Sequence, residues 1–127
     1  MWFYNFILTA GITVIFSQTP NIDCGYKQTK INGCYIENKK IIVINYKSPD
    51  DTLYHELGHA KFLHNEEIKA IIKRYPQLRT YDKEIYNTKE KLLNEQVADY
   101  FVEYHYFPES LKINYPEIYK AFENNLK

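Results

Sequence analysis

Residues 55 to 59 read His-Glu-Leu-Gly-His, and the chemistry open to them follows from their spacing. On a helix, side chains four apart share one face a turn apart, so His55 and His59 would present two imidazoles to one point. Imidazole nitrogens are preferred zinc ligands. A carboxylate beside the first of them, here Glu56, is placed to take a proton from water activated by the metal. The expected chemistry is hydrolysis, with Zn2+ as cofactor, His55 and His59 as ligands and Glu56 as the catalytic general base. The plain alternative is a surface helix with two solvated histidines. Against it stand Leu53, Leu57 and Ala60, which give the helix an apolar side. Gly58 also costs a helix about 1 kcal/mol, which points to a close approach by another part of the chain.

A catalytic zinc site needs a third protein ligand and an open position. A third histidine six residues after His59 would mark the metzincin pattern, but position 65 is Asn and position 62 is Phe rather than Gly, which excludes it. His64 lies about 140° around the helix from His59 and reads as a surface residue or a charge near the helix C-terminus. Glu95 is the stronger candidate, because Asp99 follows it by four residues on the same helical face. One carboxylate can bind the metal, while the other accepts the outer ring N–H of a ligating histidine and fixes its tautomer.

His55-Glu56-Leu57-Gly58-His59 with Glu95 and Asp99 resembles the gluzincins, zinc peptidases whose third ligand is a Glu on a later helix with an Asp four residues on. Within them the chain is most similar to the ImmA/IrrE-type metallopeptidases of phages and mobile elements and to the minimal gluzincins. The likeness runs through Glu95-Gln96-Val97-Ala98-Asp99-Tyr100-Phe101 to Pro108, and covers roughly residues 12 to 108. Lys61 departs from the pattern, since zinc peptidases usually have an apolar residue there. The longer amino-terminal helix and separate regulatory or DNA-binding segment that such proteins often carry are also not seen.

The resemblance implies an α+β fold, a minimal zincin-like domain with a small three- to four-stranded sheet packed on the HExxH helix and a second ligand-bearing helix. It implies a zinc metalloendopeptidase acting on a protein or peptide, such as a phage or mobile-element transcriptional repressor. A catalytically silent zinc-binding interaction module is the alternative.

The elements that must position these residues are partly legible. Gly11 suits the left-handed position closing a helix, and Ile12 to Phe16 is a β-branched strand. Residues 18 to 33, rich in Asn, Gly and Pro, read as an irregular connection. Cys34-Tyr35-Ile36 and Ile41-Ile42-Val43-Ile44 read as a hairpin turning at Glu37 to Lys40, where Asn38 suits a tight turn. Four successive apolar residues predict that the second strand is covered on both faces. Ser48 as cap, Pro49 at the first helical position and Asp50 and Asp51 beyond it start a helix over about 49–64. Further helices are expected over 66–74, 88–104 and 116–125, with 77–87 irregular and Pro108 just past the end of the third.

The chain of 127 residues carries 16 basic and 16 acidic side chains, with no massed cationic segment, so direct nucleic-acid binding is not expected. At 45% hydrophobic and 17% aromatic, one folded domain spanning 1–127, working as a monomer, is the expectation. Cys24 and Cys34, ten apart, match no redox or zinc-cage spacing. They would be thiols in a reducing cytosol or a disulfide if exported. Residues 2–16 carry no charge, but are shorter than the roughly 20 apolar residues of a membrane span and have no basic residue ahead of them. A cytoplasmic location without membrane attachment is favoured over an export signal or tether in residues 1–17. Tyr104, His105, Tyr106, Tyr115 and Tyr119 are available as donors to a developing oxyanion, although in a chain with thirteen tyrosines packing is the better explanation of each Tyr.

Overall fold

The β-branched run after Gly11 forms strand β1, Thr13–Ser17, in the computed structural model, which describes residues 11–17, 32–45 and 50–126. Gly11 has φ +67°, a left-handed conformation that costs glycine little. The helix expected before it lies outside the described residues, as do the connection over 18–31, Cys24, and the Ser48 and Pro49 helix start. The described residues divide into two compact units, Met1–Ala60 and Lys61–Lys127.

The first unit holds a three-stranded mixed sheet in the order β1-β3-β2, with β2 at Gly33–Ile36 and β3 at Ile41–Asn45. β1 runs parallel to β3, with Thr13 opposite Ile41, and β2 runs antiparallel to it, with Ile36 opposite Ile41. The expected hairpin is present. Its connection is a single 3-10 turn over Glu37–Lys39, and Lys40 rather than Asn38 takes the left-handed conformation, with φ 53°. Along β3, Ile42 and Ile44 are buried while Ile41 and Val43 are only half-covered, so the apolar run has one closed face and one partly open. Cys34 is buried and disulfide-bonded, and Ile36 and Val43 pack against it.

Helix α1 is Asp50–Phe62. Gly33 governs how its first turn meets the sheet. A Cβ at that position would stand 2.7 Å from Cδ1 of Ile44 and 2.9 Å from Cγ2 of Thr52, so only glycine admits the Thr52 methyl so close to β2. Leu57 is fully buried, with Leu53 and Ala60 partly so.

The second unit contains α2, Glu66–Ile72; α3, Lys89–Tyr106; α4, Pro108–Asn114; and α5, Pro116–Asn125. Asn65 caps α2, its Oδ1 accepting from the Ile68 N–H at 3.0 Å, and Thr88 caps α3 through the Lys91 N–H at 3.1 Å. α4 was not expected. Pro108 ends α3, but proline is equally suited to the first position of a new helix, and buried Leu111 anchors that helix. The core of the unit is aromatic. The Phe62, Phe101 and Phe122 rings meet one another at centroid distances of 5.2 to 5.7 Å, with Ile68, Ile72, Ile118 and Tyr100 buried alongside. Lys69 is buried as well, and its ammonium donates to the Leu63 carbonyl at 3.3 Å and pairs with Glu90. The architecture is α+β, with five α-helices among the described residues, none long and apolar enough to cross a membrane.

Candidate metal centre

α1 carries His55, Glu56 and His59 on consecutive turns. The helical repeat brings the two half-buried imidazoles edge to face, with ring centroids 4.8 Å apart and planes at 84°. Their Nε2 atoms stand 3.2 Å apart. Two nitrogens about 2.0–2.1 Å from a tetrahedral zinc ion would be separated by about 3.3 Å, so the pair matches the bite of that ion. Glu56 is buried, 7% exposed. His64 is exposed, and Asn65, where a metzincin would have its third histidine, is occupied in capping α2. Lys61 is exposed and the apolar Phe62 beside it is buried, so the cation at 61 costs the core nothing.

α3 carries Glu95, partly buried, and Asp99, only 4% exposed, one turn later. His55 and His59 lie in the first unit and Glu95 in the second. Two imidazoles and a carboxylate are a donor set suited to zinc.

Tyr81 had no mark in the sequence. It lies in the stretch read as irregular, and its hydroxyl donates to Oδ2 of Asp99 at 2.6 Å. Burial and then the charge of Asp99 push the Tyr81 hydroxyl far above the ordinary tyrosine range, so it remains a donor. The tyrosines weighed as oxyanion donors are engaged in packing. Tyr104 donates to Glu123 at 2.6 Å, Tyr115 meets the rings of Tyr75 and Tyr100, and Tyr119 packs against Tyr104. His105 and Tyr106 are exposed.

No protein-family model matches the chain, and no curated protein or solved structure matches it.

Proposed function

We propose that this chain is a zinc-dependent endopeptidase of the gluzincin kind that its motifs resemble, built on a minimal zincin-like domain. The observation that carries the reading is the 3.2 Å separation of the His55 and His59 Nε2 atoms on α1, the bite of one zinc ion. His55, His59 and Glu95 are the residues that would hold the ion. When bound, zinc supplies Lewis-acid activation of water and of a peptide carbonyl. Glu56 accepts the proton of the attacking water and returns it to the leaving nitrogen, so one carboxylate serves both halves of the hydrolysis. Asp99 takes the outer ring N–H of a ligand histidine and so fixes which nitrogen is offered to the metal.

The substrate class is protein or peptide. By the resemblance it is a regulatory protein, such as a repressor carried by a phage or mobile element. A silent zinc-binding interaction module uses the same ligands but has no need of a carboxylate at 56.

Metal content and casein hydrolysis measured on wild type, Glu56→Ala and Glu95→Ala test the reading. Wild type is expected to hold one equivalent of zinc and cleave, Glu56→Ala to hold zinc without cleaving, and Glu95→Ala to lose zinc. Wild-type protein that takes up no zinc when it is supplied would sink the proposal. Zinc bound without hydrolysis of any protein tried would favour the silent module.

A further inference from the structure

The sheet of the first unit has two unlike faces. Gly33, Ile42 and Ile44 share one of them, and the Thr52 methyl of α1 stands so close to Gly33 that no side chain fits between. Cys34 lies on the other face, opposite Val43 in the ladder between β2 and β3. Among the described residues, the apolar layer there is buried Cys34 with half-covered Ile36 and Val43. So thin a layer holds an edge strand weakly, and the disulfide of Cys34 adds a covalent tie to that strand. Cys24 is the one other cysteine of the chain, so a bond made within the chain is made with it.

α1 depends on the seat that β2 gives it. The helix has 13 residues with Gly58 among them, and a helix of that length is marginal in water without a surface to pack on. Thr52 lies in the turn just before His55, so a β2 that frays withdraws Gly33 from the turn leading into the histidine pair.

We infer that the Cys34 disulfide is a redox switch on the helix that carries His55 and His59. Oxidised, it holds β2 against Thr52 and keeps the two imidazoles at their 3.2 Å spacing; reduced, it releases them. A dithiol reductant drives the change. It passes two electrons and two protons to the S–S bond, which becomes two cysteine thiols while the dithiol closes to its own disulfide. What the histidines bind rests on the zinc-site reading above, whereas the switch on their helix does not.

Amide hydrogen exchange on the full zinc-free chain tests the switch in oxidised wild type, wild type reduced with dithiothreitol, and Cys24→Ser, which removes the bond and leaves Cys34 in place. Exchange over residues 50–60 is expected to be at least about 10-fold faster in the reduced protein and in the variant. α3 and α5, in a unit without cysteine, should exchange as before. Zinc affinity of Cys24→Ser, measured without reductant, should be about 10-fold weaker than that of oxidised wild type. Unchanged exchange over 50–60 in either sample overturns the inference, as does faster exchange with undiminished zinc affinity. Protection lost throughout α3 and α5 overturns it too, because the bond would then hold the whole chain. Oxidised wild type that binds no zinc overturns the zinc reading instead, and the exchange rates alone then decide the switch.

Discussion

The hydroxyl of Tyr100 donates to the carbonyl of Pro76 across 2.6 Å. One turn earlier on α3, the amide of Gln96 donates to the carbonyls of Ile72 at 2.9 Å and Tyr75 at 2.7 Å. Two side chains of the Glu95-bearing helix thus close the end of α2 and the root of the following loop. Gln96 is 6% exposed, so removing its amide strands carbonyls from which water is excluded. Gln96→Leu is expected to lower unfolding stability by about 1–3 kcal/mol. Urea denaturation checks this, and an unchanged midpoint would mean that water replaces the amide.

If the proposed site binds zinc, the metal should stabilise the folded chain, since the His55 and His59 nitrogens are brought together only on the formed helix. At a zinc concentration 100 times the dissociation constant, the gain is about 2.7 kcal/mol, removable by a chelator. His59→Ala should abolish the response, and differential scanning fluorimetry with and without zinc reads it. A wild-type midpoint indifferent to zinc contradicts the prediction.

Alkali should destabilise the fold. Burial raises the Tyr81, Tyr100 and Tyr104 hydroxyls well above their ordinary range, reinforced by Asp99 at Tyr81 and Glu123 at Tyr104. A phenol that holds its proton more tightly when native contributes stability in full below its unfolded pKa of about 10, and loses that contribution as pH rises towards the folded value. The thermal midpoint should therefore hold steady to about pH 9 and fall beyond about pH 10, less steeply in Tyr81→Phe. A flat profile through that window would show that these hydroxyls are not shielded as described.

Cys34 is buried and disulfide-bonded, a state that persists in oxidising compartments and is rare in the cytosol. Alkylation of protein taken from its native compartment, before and after reduction, should label Cys34 only after reduction. Labelling without reduction would place the protein where thiols are kept reduced.

The histidine pair was legible because a helix converts a spacing of four directly into a shared face, and both ring nitrogens lie where that rule puts them. Glu95 was singled out only through Asp99 four residues on and the resemblance, since no local periodicity links residues 59 and 95. Tyr81 carried no signal. It sits in a segment without hydrophobic period, and its approach to Asp99 depends on the geometry of the turn at Asp82. Buried Lys69 escaped for a similar reason, because its partners Leu63 and Glu90 lie beyond the helix that carries it. Proline caused the missed α4, because the residue that stops one helix also opens another.

Asn65, capping α2, donates from its Nδ2 to Oδ1 of Asn125 at 3.0 Å, a bond spanning 60 residues, and the Phe62 ring meets Phe122 over the same stretch of chain. The earliest helix of this unit is therefore completed by the latest. On a ribosome emitting the chain from its amino end, Phe62, Ile68 and Ile72 must wait for α5 to emerge, so the helical half cannot assemble stepwise as it is made. It closes only once α5 has been made, and until then its aromatic core is a surface for chaperones to cover.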